Sequence, residues 1–477
     1  MSLKKNALLN SIKQTCTIIF PLITFPYISR VLQSENYGKY SFASSIISYF
    51  SLIAALGVSN YAIREGAGIR NDKKRIEKFS SEVFTINILS TTISYILLFF
   101  TIIFWKYIQK YTELLLILSI GIIFTTIGVE WIYSIYEDYL FITIRSIVVQ
   151  FVSLVLMFIF VKSRDDYIIY AVITVLASSG ANIINLIYAR RYVHLHLTMK
   201  MNLKQHLKPM LVLFCNAVMV TIYVNSDITV LGIICGDSEV GIYSVAAKIY
   251  TIVKNLLNAI IVVAIPRLSL YLGTNKLNRY YQTETKILKS LSIILFPALT
   301  GLFMTSNQIV VLISGPSYEL ANIPLRILCF ALGFSVLASF ITMTILLPNR
   351  QEEKILKATI ISSITNLILN FIIVPFLGMN GAAFTTVLAE GIVFILSSYY
   401  SINIFRKMQT NFFKTFLMIF IGCIGIVLIC LIINQILSNV FVSLIVKIVI
   451  SGLYYLLILI VFREEDVTEL IHKVIKL

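Results

Sequence analysis

Residues 358–402 read ATIISSITNLILNFIIVPFLGMNGAAFTTVLAEGIVFILSSYYSI. The stretch holds two apolar runs of about 20 residues, the length that an α-helix needs to cross a bilayer. A very short turn between Pro375 and Gly381 joins them. A bilayer offers no hydrogen-bond partners, so only helices or closed barrels span it. Because the runs are continuous and not alternating, this segment predicts a helical hairpin inside a membrane.

The rest of the chain has the same character. Of its 477 residues, 58% are hydrophobic and 13% are charged, whereas a soluble domain carries about 25% charged residues. We therefore predict an all-α, polytopic integral membrane protein with about 14 transmembrane helices. The predicted spans are 8–29, 41–63, 82–104, 113–134, 141–161, 167–189, 209–232, 240–264, 288–313, 322–347, 358–378, 381–402, 414–435 and 440–462.

The charge balance is basic, with 39 Lys and Arg against 23 Asp and Glu. We attribute it to cytoplasmic loops facing anionic lipid and expect no nucleic-acid partner. If the N-terminus is cytoplasmic, almost all basic loop residues fall on the cytoplasmic side. The predicted outer loops then hold only Lys39, Lys106, Lys110, Lys162 and Arg164. This bias predicts an even number of spans, with both termini in the cytoplasm.

A weak internal repeat recurs at an offset of 203 residues. Gly38-Lys-Tyr-Ser aligns with Gly241-Ile-Tyr-Ser, and Arg64 falls on Arg267. The repeat predicts a six-helix bundle at 1–206, a second at 207–405, and two appended helices with a cytoplasmic tail at 406–477. Parallel repeats of this kind enclose a cavity between the bundles and rock between inward-open and outward-open states.

Motifs of enzymes and of metal sites are missing. The chain has no Walker A sequence, no HExxH and no Gly-x-Ser-x-Gly, and its six cysteines are scattered. All four histidines, His194, His196, His206 and His472, lie in predicted cytoplasmic segments. His194 and His196 suit a metal, but a solvated loop is the favoured interpretation. We expect a transporter, with no catalytic residues, cofactor or bound metal.

Ionisable residues inside predicted spans are costly and by default face a cavity or a partner. The basic ones include Lys248, which lies about 12 Å along its helix, at 1.5 Å per residue, and shares a face with Ser244 and Gly241. Together such cations would offset the charge of a phosphate group within the bilayer. The cations inside spans are Arg30, Lys248, Lys254, Arg326 and Lys447, of which Lys447, alone in the last helix, is interpreted as structural or interfacial; the acids are Glu130, Asp227 and Glu390.

Two roles remain open for the three acids. They either neutralise the cations or bind a coupling ion or proton. Amide side chains that would hydrogen-bond sugar hydroxyls lie in or at the ends of spans. Those assigned to the cavity lining are Asn60, Asn225, Asn366 and Asn370.

Several short motifs resemble one known family. They are PYISRVL at 26–32, YGKY at 37–40, GVSNYAIRE at 57–65, VGIYSVAAKI at 240–249 and NLILNFIIVPFLGMNGAA at 366–383, with Glu390 following. Their order and spacing resemble the O-antigen and capsular repeat-unit flippases. These belong to the multidrug, oligosaccharidyl-lipid and polysaccharide exporter superfamily.

The resemblance implies a MATE-like fold, two six-helix bundles around a cationic cavity plus two C-terminal helices. It implies translocation of undecaprenyl-pyrophosphate-linked oligosaccharide across the bacterial cytoplasmic membrane for O-antigen, capsule or exopolysaccharide synthesis, driven by a sodium or proton gradient. Arg30, Arg64 and Lys248 fall on the family's basic positions, and Asp227 and Glu390 fit its coupling positions more loosely. Expected partners are the glycolipid, membrane lipids, a polysaccharide polymerase and glycosyltransferases.

Three alternatives to this function stay open. A peptidoglycan lipid-precursor flippase has the same helix count, and a multidrug or small-molecule cation-coupled antiporter belongs to the same superfamily. A non-transporting scaffold for glycan assembly is the third. About fourteen spans and a deep lysine favour the lipid-linked substrate over the antiporter.

Overall fold

The computed structural model describes residues 3–198, 202–408 and 413–462, and this part of the chain is helical with no β-strand. The residues group into two compact units, one ending at Gly241 and the other beginning at Ile242. The division falls inside one long helix, α11, which spans Asp237–Gly273. The predicted domain boundaries at 206/207 and 405/406 stay predictions, and the tail beyond residue 462, with His472, lies outside the described residues.

The first unit contains the helices that precede α11 and the start of α11 itself. Their bounds are α1 Leu3–Ala55, α2 Val58–Ile69, α3 Lys73–Phe104, α4 Lys106–Gln109, α5 Thr112–Gly128, α6 Glu130–Ile135, α7 Tyr139–Phe160, α8 Tyr167–Val175, a π-helical turn Leu176–Gly180, α9 Asn182–Ala189, α10 Leu203–Ile234 and α11 Asp237–Gly273.

The second unit contains most of α11 and the helices that follow. They are α12 Leu277–Ser314, a 3₁₀ turn Pro316–Ala321, α13 Asn322–Phe340, a π-helix Ile341–Leu346, α14 Glu352–Phe405, α15 Phe413–Ile436 and α16 Val440–Val461. The π-helix continues α13 directly, and its Leu347 N–H donates to the carbonyl of Thr342. A π-turn displaces one backbone carbonyl from the regular ladder and is frequent at functional sites.

Among the described residues, 11 helical segments are long and apolar enough to cross a membrane. Two of them combine neighbouring predicted spans, because α1 and α14 each continue through one non-helical residue. The shorter apolar helix α5 occupies the position of the fourth predicted span. The helical membrane architecture is therefore confirmed, while the exact number of crossings stays a prediction.

The two breaks differ in how visible they are in the sequence. Gly378 interrupts α14 with φ 53°, and glycine adopts positive φ without steric cost. Gln33 interrupts α1 with φ 59° and ψ 175°, a conformation that a residue with a Cβ atom rarely adopts. The predicted spans place an interruption in both regions, between 29 and 41 and between 378 and 381. Only at Gly378 does the residue type indicate the exact position of the break.

Several helices begin earlier than the apolar runs indicate. α3 begins at Lys73 and not at 82, α10 at Leu203 and not at 209, and α12 at Leu277 and not at 288. The extra turns carry Lys and Arg side chains together with buried polar residues. A prediction from hydropathy ends a span at the first cluster of charged residues, although the backbone continues beyond it as an amphipathic helix.

The repeat-related glycines meet at one helix crossing in the first unit. A Cβ atom added at Gly38 would overlap the carbonyl oxygen of Asp237, and one added at Gly241 would overlap the carbonyl oxygen of Ser34. Ser34 and Asp237 are themselves 203 residues apart, so the contact is reciprocal. Small residues allow such close backbone approach between helices in membranes.

Candidate functional site

Among the predicted cations, Lys248 is the one whose positive charge is least compensated by neighbouring side chains. It lies on α11 in the second unit and is partly buried. Within the described part of the chain it has no hydrogen-bond or ion-pair partner. One helical turn earlier, the Oγ atom of Ser244 is also buried without a partner. The two residues share one face of α11, as their spacing predicted.

The three predicted arginines are exposed. Arg64, on α2, forms an ion pair of 3.0 Å with its neighbour Glu65. Arg326, on α13, donates from Nε to Oγ of Ser306 over 2.8 Å, and its guanidinium lies 5.7 Å from the centre of the Phe303 ring. Arg30, on α1, is exposed as well. Whether these arginines line one cavity with Lys248 stays a prediction.

Glu390 lies in a buried polar cluster between α11 and α14. Its Oε1 atom accepts from Nζ of Lys254 at 2.9 Å and from the hydroxyl of Tyr250 at 2.8 Å. Glu390 is buried, and Lys254 retains partial exposure. This geometry balances one charge against another inside the second unit. Whether Glu390 also binds a coupling ion stays a prediction.

Two predicted amides, Asn366 and Asn370, lie where the two arms of α14 pack together. Asn370 is fully buried, and its Nδ2 donates to Oδ1 of Asn366 over 3.2 Å. Its Oδ1 accepts from the hydroxyl of Thr385 on the other arm at 2.6 Å. The break at Gly378 allows this contact, because it reverses the chain between the arms. Both amides lie on a helix that is long and apolar enough to cross a membrane, and their place in a cavity lining stays a prediction.

The remaining two predicted amides lie in the first unit. Asn225, on α10, is partly buried, and its Nδ2 donates to the carbonyl of Thr221. Asn60, on α2, is exposed. The structure does not bring these two together with Asn366 and Asn370 within one unit.

The predicted acids of the first unit lie on different helices. Glu130 begins α6 and forms an ion pair of 3.0 Å with Arg145 on α7. The Glu130 side chain is 41% exposed, whereas that of Arg145 is 8% exposed. Arg145 also donates to Oδ1 of Asn185 on α9. Asp227, on α10, is buried, and its role as a coupling residue stays a prediction.

Sequence reasoning missed a buried hydrogen-bonded group that joins three helices of the first unit. His206, on α10, is 2% exposed and was assigned to a connection between spans. Its Nε2 lies 2.7 Å from Oε2 of Glu82 on α3, and its Nδ1 lies 2.7 Å from the hydroxyl of Tyr61 on α2. Nζ of Lys78 lies 4.0 Å from the other Glu82 oxygen. The assignment of His206 to a loop was therefore wrong, because α10 begins before its apolar run.

A second buried carboxyl group was missed for the same reason. Glu284 lies on α12 before the predicted span and is fully buried. Thr344, in the π-helix, has its Oγ1 atom 2.9 Å from Oε2 of Glu284. Tyr280, one turn before Glu284, donates its hydroxyl to the Thr344 carbonyl over 3.2 Å. One sequence signal could have indicated this burial: Glu284 lies in a helical segment that continues without a break into the predicted apolar span.

No group of three or more His, Cys, Asp or Glu side chains able to hold a metal occurs among the described residues. His196 contacts Oγ of Ser81 at 3.1 Å, and His194 is exposed.

Comparisons with known proteins place the chain in one family. A sequence profile described as polysaccharide biosynthesis protein matches residues 3–272, more than half of the chain. A putative O-antigen transporter of Escherichia coli (strain K12) is 25% identical over 399 residues, which are 82% of this chain and 95% of that protein.

Two solved structures share the fold. The lipid II flippase MurJ in its inward closed conformation superposes with a TM-score of 0.74 at 18% identity, covering 96% of this chain and 99% of that one. An inward-facing multidrug resistance MATE family transporter of the MOP superfamily gives a TM-score of 0.58 at 13% identity, covering 83% of this chain and 99% of that one. At these identities the likeness shows the fold, and the predicted MATE-like class is confirmed.

Proposed function

This chain belongs to the polysaccharide biosynthesis protein family, and from that premise we propose that it is a lipid-linked oligosaccharide flippase. It translocates polyprenyl-pyrophosphate-linked repeat units across the cytoplasmic membrane for surface polysaccharide assembly. The relative named as an O-antigen transporter supports this function, as do the many apolar helices of a multi-pass membrane protein. The chain works as a transporter and not as an enzyme.

Lys248 is the observation that carries the proposed substrate. A pyrophosphate head group is anionic and strongly hydrated, so its passage through hydrocarbon requires positive charge along the path. Lys248 is half-buried on an apolar helix and, among the described residues, has no acid beside it. Lys254, by contrast, is already neutralised by Glu390. An uncompensated ammonium group inside a membrane helix is costly, and an anionic ligand compensates it.

We propose that Arg30, Arg64 and Arg326 contribute further positive charge along the same path. The amides Asn60, Asn225, Asn366 and Asn370 would hydrogen-bond the sugar hydroxyls. Both termini are assigned to the cytoplasm because the basic residues of the loops then face that side. A sodium or proton gradient drives the cycle in this proposal, in keeping with the MATE-like fold. Glycosyltransferases and a polymerase that make and consume the repeat unit are the proposed partners.

Charge reversal at Lys248 tests the proposal in the host bacterium. Cells that lack the gene are complemented with wild type, Lys248→Glu, Lys248→Arg or Lys357→Glu, the last an exposed lysine on α14. Lys248→Glu should reduce surface polysaccharide at least ~10-fold at equal protein level, since ~1.4 kcal/mol of lost binding already gives that factor. Lipid-linked oligosaccharide should accumulate on the cytoplasmic face. Lys248→Arg should retain output, and Lys357→Glu should match wild type.

Two outcomes contradict the proposal. Normal polymer output from Lys248→Glu removes this lysine from the transport path. Hypersensitivity to drugs in the deletion strain, with normal surface polysaccharide and no accumulated glycolipid, indicates an antiporter instead.

A further inference from the structure

The second unit holds a carboxyl group that the proposed transport path does not use. Glu284 is fully buried. Its Oε1 atom is buried without a hydrogen-bond partner. Within the part of the chain that the structure describes, no basic side chain forms an ion pair with Glu284. An ionised carboxylate that is buried without compensation is strongly disfavoured, and such a group binds a proton instead.

The hydrogen bonds of Thr344 support a bound proton. Oγ1 of Thr344 lies 2.7 Å from the carbonyl oxygen of Phe340 and 2.9 Å from Oε2 of Glu284. A threonine hydroxyl carries one hydrogen, and a carbonyl oxygen can only accept. The Thr344 hydrogen therefore satisfies Phe340, four residues earlier in the helix. A protonated Glu284 completes the arrangement by donating from Oε2 to Thr344 Oγ1.

Other donors near Glu284 are already engaged. The Tyr280 hydroxyl donates to the carbonyl of Thr344 over 3.2 Å and accepts from Nδ2 of Asn349 over 3.2 Å. The same Asn349 nitrogen donates to the carbonyl of Ile345 over 2.7 Å. Tyr280 is the titratable group that faces Glu284, and Tyr281 packs against its ring. Among the described residues, neither α12 itself nor α13, α15 or α16, which pack against it, provides a basic side chain that forms an ion pair with Glu284.

A proton fits this position better than a metal ion. A hard cation requires several oxygen ligands around an open space. Here the oxygens of Thr344 and Tyr280 already take part in hydrogen bonds, and only Oε1 of Glu284 has none. A proton needs one oxygen and no cavity.

We propose that Glu284 is a proton-binding site of the second unit, occupied in this conformation and emptied during the transport cycle. When α12 and the π-helix separate, water reaches the carboxyl group, the O–H bond of Glu284 breaks, and the proton passes to water while the carboxylate remains. The π-helix is the element suited to this change, since its irregular ladder can return to α-helical register. The coupling to transport rests on the proposed flippase function.

Infrared difference spectroscopy tests the bound proton without any transport substrate. The purified full-length protein is reconstituted in vesicles, and the carbonyl stretch of protonated carboxyl groups is followed from acidic to alkaline pH. The wild-type minus Glu284→Gln spectrum should show this band at neutral pH and lose it as the pH rises. Glu353→Gln, at an exposed site on α14, should leave the spectrum unchanged. A wild-type spectrum identical to that of Glu284→Gln overturns the proposal.

Thr344→Val gives a second readout whose direction is decisive. If Glu284 donates to Thr344, loss of the hydroxyl destabilises the protonated form, so the band disappears at a lower pH than in wild type. If Thr344 instead donates to an ionised carboxylate, loss of the hydroxyl shifts the band to higher pH. A shift to higher pH therefore overturns the proposal.

The coupling between proton release and glycolipid transport is measured separately, in proteoliposomes that contain a pH-sensitive dye. The probe is lipid-linked oligosaccharide extracted from cells lacking the transporter. Glu284→Gln should lose substrate-dependent proton movement at least ~10-fold, and Glu353→Gln should not. Wild-type proton rates in Glu284→Gln overturn the coupling. If the wild-type protein moves no glycolipid, the flippase function fails, and the infrared result alone still decides whether Glu284 holds a proton.

Discussion

Glu82 in the first unit and Glu284 in the second unit lie 202 residues apart, within one residue of the repeat offset. Each lies near the beginning of a long helix and is buried. Glu82 faces His206 at 2.7 Å and has Lys78 at 4.0 Å. Glu284 faces the hydroxyl groups of Thr344 and Tyr280, and no basic side chain of the described residues forms an ion pair with it. The two carboxyl groups are both buried but have different neighbours, and neighbouring groups decide whether a buried carboxyl group is ionised.

His206→Ala should have the largest effect on this comparison. The substitution leaves Glu82 buried with only the more distant Lys78, and removal of one partner of a buried pair costs about 3 kcal/mol or more. The free energy of unfolding, measured by titration of the purified protein with a denaturing detergent, should fall by about that amount. Glu82→Gln in the same background should recover part of the loss, because it removes the isolated charge. A loss well under about 1 kcal/mol would show that Glu82 does not depend on His206.

Glu82→Gln and Glu284→Gln should lower the free energy of unfolding by different amounts, both smaller than the loss expected for His206→Ala. Glu82→Gln replaces a charged acceptor, and hydrogen bonds to charged groups contribute about 2 kcal/mol. Glu284→Gln should cost less than about 1 kcal/mol, because a neutral side chain of the same shape keeps a donor for Thr344. The same unfolding titration measures both. Equal losses at the two positions would mean that their charge states are alike.

The two tyrosines provide the smallest and most closely matched test. Tyr61→Phe removes the hydroxyl that contacts Nδ1 of His206, and Tyr280→Phe removes the hydroxyl that donates to the Thr344 carbonyl. Each should lower the free energy of unfolding by about 1 kcal/mol, the usual net value of one hydrogen bond. A much larger loss for Tyr61→Phe alone would show that its hydroxyl stabilises a charged His206.

The hairpin of α14 shows how far the sequence could predict the fold. Two apolar runs separated by Pro375, Gly378 and Gly381 define it, since Gly378 supplies the positive φ that the chain reversal requires. Placement of Asn366 and Asn370 within the membrane followed from the same runs. In α1, by contrast, Gln33 takes an unusual conformation that no local residue preference favours.

The buried carboxyl groups show where sequence prediction stopped. Hydropathy places Glu82 at the edge of a span and His206 and Glu284 outside one, because each charged residue lowers the local average. Burial depends instead on which helix packs against that turn, as α10 does against Glu82 and the π-helix does against Glu284. The partner Lys254 was recognised as an intramembrane cation, but its distance from Glu390 required the packing of α11 against α14.

The crossing of Gly38 and Gly241 limits which residues each of the two aligned segments can carry there. The space that a side chain would need at either glycine is filled by the main chain of the other segment. A methyl group added at one glycine would therefore displace the backbone of the other segment. A second substitution cannot compensate for this, because the obstructing atoms belong to the backbone and not to a side chain. The two segments are free to differ on every other face, yet at this point each must keep the smallest residue.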